Sequence, residues 1–391
     1  MPRIAKCLLI AHQHVHVKTS RGIGASKLAT GSLRLVTDHF ARVINLAPVR
    51  QPGLGELNSQ IEDLPTYPNN VECKVLYQHS PARHIAVSAL RHFGSIPTIW
   101  REVRNADVVY ARMPCYPALI SSLLGLFAGK ELMLSLHSDW GHILLVRRGD
   151  RPWFRTMARL ADAYQKSLAQ RSVVTLVTGD HLRRLGGTNA VTISQHQFTG
   201  ADLYRRQDTC QKKPIRLLLV GILSKRKGLD FLLDAMLELD ASNIDCTLTL
   251  VGPPSDYNAR REISRRKLDQ RVTLTGHVAW GTQLFELYRS SDLFVFPSLS
   301  EGSPKAPMEA LSQSLPVIAT PSGSSDYIEN EVTGLLIPPG DTRALVRAIQ
   351  RMIEDGELRR RCMARGLEVA EQNSREWMAR RIGRALDAAF N

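Results

Sequence analysis

The sequence predicts an α/β protein built from two doubly wound parallel sheets. Three observations carry this expectation. Short apolar runs alternate with stretches of helical apolar spacing along nearly the whole chain, the rhythm of repeated strand–helix–strand units. The chain has 391 residues, more than one typical core organises, so two domains are expected. A polar, unpatterned stretch from Thr199 to Pro214 interrupts the rhythm and reads as a linker, giving domains at 1–205 and 206–374.

Ile4 to Ala11 reads as the first strand. The loop after it, His12 to Ala25, holds His12, His14, His16, Arg21, Gly22 and Gly24, and a helix is expected from Ser26 with Leu28, Leu35, Val36 and Phe40 on one side. Strand, glycine loop and helix open a nucleotide-binding-like half, although the Gly22-x-Gly24 pair lacks the third glycine and the acidic ribose ligand of a dinucleotide fingerprint. The alternating histidines read as a polar loop rather than a metal site, because no carboxylate or cysteine stands near them. Further strands are expected at Val43 to Ala47, Val71 to Tyr77, Val108 to Ala111, Leu132 to Leu136 and Val173 to Thr178, with helices at Ala118 to Phe127 and Phe154 to Gln170. His137 follows directly on Leu132 to Leu136, which places it at the edge where open parallel sheets bind ligands. Arg147, Arg148, Arg151, Arg155 and Arg159 are interleaved with Trp153 and Phe154, a composition suited to an anionic membrane face.

Beyond Pro214 the rhythm is regular. Strands are expected at Ile215 to Val220, Thr247 to Val251, Val272 to Leu274, Leu293 to Phe296, Val317 to Ala319 and Leu335 to Ile337. Leu229, Leu232, Leu233 and Met236 form one apolar helical stripe, and the tail from Glu368 to Phe390 is helical and Arg-rich.

Hydrophobic residues make up 43% of the chain and aromatic residues 6%, the balance of a soluble globular protein. The six cysteines are scattered without a C-x-x-C pair, which argues against a disulfide framework or zinc ribbon and for a reducing compartment. Cys7 to Ala11 is too short for a signal peptide and no run reaches the length of a membrane span, so a cytoplasmic location is expected. The net charge of +14 is uneven: residues 1–200 carry 24 basic and 12 acidic side chains, hence +12, and the remainder +2. A basic half beside a neutral half implies two surfaces with different partners, nucleic acid, an anionic membrane or a phosphate-bearing substrate among them. The chain has no recognisable nucleic-acid-binding module.

Two stretches carry the chemistry. Gly221-Ile222-Leu223-Ser224-Lys225-Arg226-Lys227-Gly228 places a glycine at a strand end and three cations before a helix, a setting suited to a diphosphate. It lacks the ending of a P-loop. From Phe294 to Thr320 a strand, a loop and a helix carry two carboxylates, Glu301 and Glu309, eight positions apart at the same sheet edge.

With Pro297-Ser298, Glu301-Gly302, Glu309-Ala310 and Leu315-Pro316-Val317, these motifs resemble the retaining GT-B-type glycosyltransferases of the large family that includes sucrose synthases and phosphatidylinositol mannosyltransferases. The resemblance covers about Ile215 to Leu345 and is weak before it. It implies two Rossmann-like domains facing a cleft, with a C-terminal helix at about 375–391 packing back on the N-terminal, acceptor-binding domain. It further implies transfer of a sugar from a UDP- or GDP-sugar to a glycan or lipid-linked acceptor, in polysaccharide or cell-envelope assembly. The resemblance assigns Glu301 to the donor-sugar hydroxyls, Glu309 to the ribose, and Ser303, Pro304, Lys305 and Ala306 to sugar and phosphate. Lys227, assisted by Arg226 and beside Gly221, would neutralise the diphosphate, and His137 would lie near the reacting sugar.

Bond cleavage builds negative charge on the departing diphosphate, so fixed cations aimed at it are the main catalytic device. No Asp-x-Asp metal motif is present, and no metal or other cofactor is expected. A glycosidase-like use of the two carboxylates is the lesser reading, since hydroxyl recognition explains both without a proton to move. The expected enzyme is cytoplasmic, peripheral on the inner membrane face, and binds no nucleic acid. An epimerase or phosphorylase on the same fold is the alternative, and a nucleic-acid-binding protein a more distant one. Three positions depart from the family pattern. Ile222 replaces an arginine, Gly302-Ser303-Pro304-Lys305 replaces Gly-Phe-Gly, and Ser314 stands where a glycine commonly ends the helix.

Overall fold

A strand with helices on both faces has no solvent side, so it is apolar at odd and even positions alike. That pattern recurs in both halves of the chain. The computed structural model of the protein describes residues 3–12, 16–19, 22–24, 33–50, 67–78, 93–139, 141, 151–179, 182–194, 196–301, 304–322 and 327–390. The chain divides into two compact units, Met1–Gln197 with Met378–Asn391, and Phe198–Trp377.

The first unit contains β1 (Ile4–Ala11), β2 (His16–Thr19), β3 (Gly22–Gly24), β4 (Phe40–Arg50), β5 (Val71–Gln78), β6 (Val108–Met113), β7 (Glu131–Leu136), β8 (Val174–Thr178) and β9 (Ala190–Ile193). Its helices include α1 (Ile96–Asn105), α2 (Tyr116–Phe127), α3 (Pro152–Gln170) and the short α4 (Arg183–Gly186). The strands run in the order β4-β1-β6-β7-β8-β9, with β5 on the outer side of β4 and the β2–β3 hairpin joined to its end. Every pairing is parallel except that within the hairpin. Alternate residues of β1 feed two cores. Leu9 packs with Ile99, Val109 and Leu168, while Leu8 and Ile10 pack with Val43, Tyr110 and Met133. Met378, Ile382 and Leu386 of the last helix, Arg375–Phe390, complete the second of these layers.

Three expectations for this unit are corrected. Gly22 and Gly24 do not lie in a loop leading into a helix. They lie in β3, opposite Thr19 and Val17, because His16 and Val17 extend alongside Val49 and Arg50 of the long β4. Phe40 does not belong to a helix but opens β4, fully buried; the described helical turn covers 33–37. His12 and His16 are buried, His12 Nε2 against Asn45 Oδ1 at 2.9 Å and His16 Nε2 against Tyr67 OH at 2.8 Å, so they form an internal polar pair rather than a solvated loop. His14, Arg21, Arg147 and Arg148 lie outside the described residues.

The second unit contains β10 (Ile215–Val220), β11 (Cys246–Val251), β12 (Val272–Gly276), β13 (Leu293–Phe296), β14 (Val317–Ala319) and β15 (Leu335–Leu336) in the order β12-β11-β10-β13-β14-β15, all parallel. Its helices are α5 (Leu229–Ala241), α6 (Ala259–Arg265), α7 (Thr282–Ser290), α8 (Ala306–Ser312), α9 (Thr342–Glu354) and α10 (Gly356–Glu371). The strand order reverses between β10 and β13, so a crevice opens beyond their carboxyl ends.

The polar stretch 199–214 is not a free linker in this unit. Tyr204 N donates to Ser312 O at 2.9 Å, and the Arg206 guanidinium donates to the carbonyls of Tyr288, Ser291 and Gln313 at 2.9–3.1 Å. Asp208 takes two hydrogen bonds, 2.7 and 3.0 Å, from the almost fully buried Arg359. Burial pushes the Asp208 carboxyl up, but those bonds outweigh it and hold the group below its ordinary value. A carboxylate so depressed stabilises the fold above the unfolded-state pKa and loses that contribution as pH falls through its folded value. Replacing Asp208 by Ala strands the guanidinium and is expected to cost about 3 kcal/mol, read as a thermal midpoint lowered by several degrees at neutral pH. The wild-type advantage should shrink on acidification.

Candidate active site

The crevice is shaped by two backbone loops that touch. The first leaves β10 through Gly221 and a 3₁₀ turn, Lys225–Lys227, and enters α5 at Gly228. Gly228 adopts the left-handed region (φ 69°, ψ 28°), and a Cβ there would lie 2.1 Å from the carbonyl oxygen of Pro297. The second loop leaves β13 at Pro297 and is pinned to the first, with Leu299 N donating to Arg226 O at 2.8 Å; Ser298 Oγ stands 3.0 Å from the same oxygen, one of the two acceptors its single proton can serve. Gly221 also has a positive φ, 150°, and a Cβ there would stand 3.1 Å from Lys227 Cε and Nζ, so its absence leaves room for the ammonium group.

Of the three cations only Lys227 is buried. Its Nζ lies 2.8 Å from Glu301 Oε1 and 4.4 Å from the centroid of the Phe296 ring. Ser298 Oγ donates to the same Glu301 oxygen at 2.8 Å, and Arg226 Nη1 stands 3.6 Å from Oε2. A buried charge is tolerated when paired and hydrogen-bonded, and these two satisfy each other while keeping spare capacity. An ammonium has three donors and a carboxylate about four lone pairs. The buried hydroxyl of Ser224, at the start of the 3₁₀ turn, has no hydrogen-bond partner among the described residues.

Glu309 lies in the first turn of α8, buried. Tyr288 OH donates to its Oε2 at 3.0 Å and the Trp280 side chain hydrogen-bonds it as well. Burial raises its pKa above the ordinary carboxylate value, and the Tyr288, Lys305 and Trp280 interactions offset this only in part. Burial likewise lowers Lys305, with Glu309 acting in the opposite direction. Trp280 follows β12 and is partly exposed, its ring edge-on to Phe285 with centroids 5.4 Å apart.

The second unit therefore brings Gly221, Arg226, Lys227 and Glu301 together. Pro304, Lys305, Ala306 and Glu309 follow on the β13 side of the same crevice, while Ser303 lies outside the described residues, as does Gly302. His137 belongs to the first unit and sits directly beyond β7, its ring nitrogens facing Ser135 Oγ at 2.9 Å and Thr178 Oγ1 at 3.1 Å. Gly22 and Gly24 lie on the β3 hairpin edge of that unit. Sequence reasoning missed Ser298 as the hydroxyl that holds Glu301, and Tyr288 and Trp280 as the donors to Glu309. Only Ser298 stood within a recognised motif.

Comparison with known proteins follows the same division. Residues 214–355 match the family model described as Glycosyl transferases group 1. The alpha-D-kanosaminyltransferase of Streptomyces kanamyceticus is 25% identical over 263 residues, 63% of this chain and 66% of the relative. The lipopolysaccharide core mannosyltransferase LpsB of Rhizobium meliloti is 27% identical over 179 residues, 44% of this chain and 49% of the relative. The chain thus spans between about half and two thirds of these curated relatives. Among solved structures, Anabaena HepE in complex with UDP superposes with a TM-score of 0.67 at 19% identity, over 98% of this chain and 100% of that one. Sucrose-phosphate synthase of Thermosynechococcus elongatus gives 0.65 at 20% identity over 98% and 99%. These likenesses establish the fold: two α/β units with parallel sheets, the GT-B architecture.

A Gly228→Ala variant tests the loop contact. The methyl group meets both the Pro297 carbonyl and an unfavourable φ, so a loss of at least about 2 kcal/mol is expected, measured as a lower thermal midpoint.

Proposed function

We propose, from the match of residues 214–355 to the glycosyl transferases group 1 model, that the chain is a member of that family and transfers a sugar from a UDP- or GDP-sugar to an acceptor hydroxyl with retention of configuration. The single observation that carries the reading is the 2.8 Å Lys227–Glu301 pair at the point where the strand order reverses. It sets one cation and one carboxylate side by side, as a sugar diphosphate requires. The ammonium meets the leaving diphosphate and stabilises the charge that grows on it. Glu301, held by Ser298, accepts from sugar hydroxyls, and Arg226 beside it adds a second cation at the rim.

Glu309 receives the ribose hydroxyls, which demands its ionised form. Gly221 allows the diphosphate to approach the backbone. Catalysis relies on Lys227 and needs no metal, so chelator should leave turnover unchanged. His137, at the ligand edge of the first unit's sheet, positions the reacting sugar. The acceptor is glycan or lipid-linked, in polysaccharide or envelope assembly. LpsB, a lipopolysaccharide core enzyme by name, and the capsular polysaccharide glycosyltransferase CapM of Staphylococcus aureus support that context.

A thermal-shift screen of nucleotide sugars should find a stabilising donor, and the anomeric configuration of the product, read by NMR, tests retention. Lys227→Ala and Glu301→Ala should each lower turnover roughly 100-fold or more with the fold intact. Near-wild-type activity in both would sink the assignment.

A pH titration tests Glu309. Its raised pKa means that the folded protein holds this proton more tightly than the unfolded chain does, so the residue adds stability at low pH that is lost as pH rises through the folded value. Donor binding should run the other way and weaken on acidification through the same range. In Glu309→Gln that component of the pH dependence should vanish, as calorimetric titration with the nucleoside diphosphate would show.

A further inference from the structure

Scattered apolar side chains on a surface are ordinary, whereas aligned ones are not. Helix α2, YPALISSLLGLF, carries no charged residue. It exposes Tyr116, Leu123 and Phe127, the last by 83%. Helix α3 exposes Trp153 by 56%, Met157 by 43% and Leu160 by 66%. Each set falls on one helical stripe, at positions 116, 123 and 127 and at 153, 157 and 160.

The two stripes belong to adjacent helices, since Ser122 Oγ of α2 lies 3.5 Å from Tyr164 OH of α3. Both helices connect neighbouring parallel strands, so both run against the strand direction and point their N-termini to the carboxyl edge of the sheet. His137 stands on that same edge. With residues 122 and 164 level, Tyr116 is level with Ala158, and the first six residues of α3 overhang the start of α2 by about 9 Å. Within the overhang and the turn after it, residues 151–160, only Ala158 is buried. Trp153 and Phe154 stack on each other with ring centroids 3.7 Å apart. Between Arg151 and Ala161 there are three arginines, Arg151, Arg155 and Arg159, and no acid. At helical spacing they fall on the side of α3 away from the apolar stripe, and all three are exposed, so the protruding end carries apolar and cationic groups around its girth.

We propose that the protruding end of α3, with the exposed stripe of α2, docks the protein on an anionic lipid bilayer and sets the ligand edge of the first unit at the membrane surface. Charge complementarity selects this occupant. An interfacial helix presents tryptophan and leucine to the acyl boundary and arginines to anionic headgroups, and the net charge of +12 over residues 1–200 reinforces the attraction. No helix among the described residues is long and apolar enough to cross a membrane, so the contact is peripheral. The inference rests on the proposed transferase in one respect: it supplies the means by which a lipid-linked acceptor reaches the site.

Co-sedimentation of the full chain with vesicles tests it without any donor. Phosphatidylglycerol-containing vesicles should retain the protein roughly tenfold better than pure phosphatidylcholine, and salt should weaken the binding. Trp153→Glu combined with Leu160→Glu should abolish it, and Arg155→Ala with Arg159→Ala should reduce it, while the thermal shift by UDP stays at the wild-type value. No vesicle binding by the wild type, or equal binding by the Trp153/Leu160 variant, overturns the proposal. So does a wild-type dimer that this variant converts to monomer in analytical ultracentrifugation, which would assign the face to a second copy of the chain. Vesicle binding without any nucleotide-induced shift would leave the docking face standing and remove the transferase reading instead.

Discussion

The second unit depends on a contact in which no side chain fits. The Pro297 carbonyl occupies the space that a Cβ on residue 228 would need, so the loops after β10 and β13 meet backbone to backbone. That closeness brings Lys227 and Glu301, far apart in sequence, to 2.8 Å. It also lets Ser298 bridge the two loops, donating to Arg226 O or to Glu301. A side chain at 228 would push the loops apart and leave two buried charges without their partners.

The two carboxylates of the crevice are held by opposite means. Glu301 is buried against an ammonium and a hydroxyl, and keeps lone pairs for a further donor. Glu309 is more deeply buried, and Tyr288, Lys305 and Trp280 offset its desolvation only in part, so its proton affinity rises. One carboxylate of the site is therefore paired with a cation, and the other has its proton affinity raised by burial. The difference comes from their surroundings, since both are glutamates on the loop and helix that follow one strand.

Strand positions were readable because β13 and most of β1 and β10 are buried on both faces and hence run apolar, the exceptions being Lys6 and Arg216 near the strand starts. The hairpin of β2 and β3 was not. Each of its strands holds a single apolar residue, Val17 and Ile23, among polar ones and glycines, and it extends because the long β4 offers an open edge to pair with. The short β9 escaped notice for a related reason, its four residues depending on pairing with β8. Lys227, Glu301 and Glu309 were legible through local spacing at strand ends. Tyr288 and Trp280 were not, because they reach Glu309 from another strand–helix unit and nothing near them in the chain announces it.

The misread stretch 199–214 has the most consequence for the site. Polar composition suggested a free linker, yet its polar groups are spent on the backbone of the site's supporting helices. Ser314 takes the left-handed position after α8, φ 48°, where glycine is usual, and its hydroxyl donates to Tyr204 O at 2.8 Å. Arg206, lowered to about 10 by burial, binds the Gln313 carbonyl at the end of α8 and the Tyr288 carbonyl at the end of α7. Those are the helix that carries Glu309 and the residue that donates to it. Ser314 is thus anchored by the stretch that reads as a linker in sequence, and together they fix Glu309 from behind.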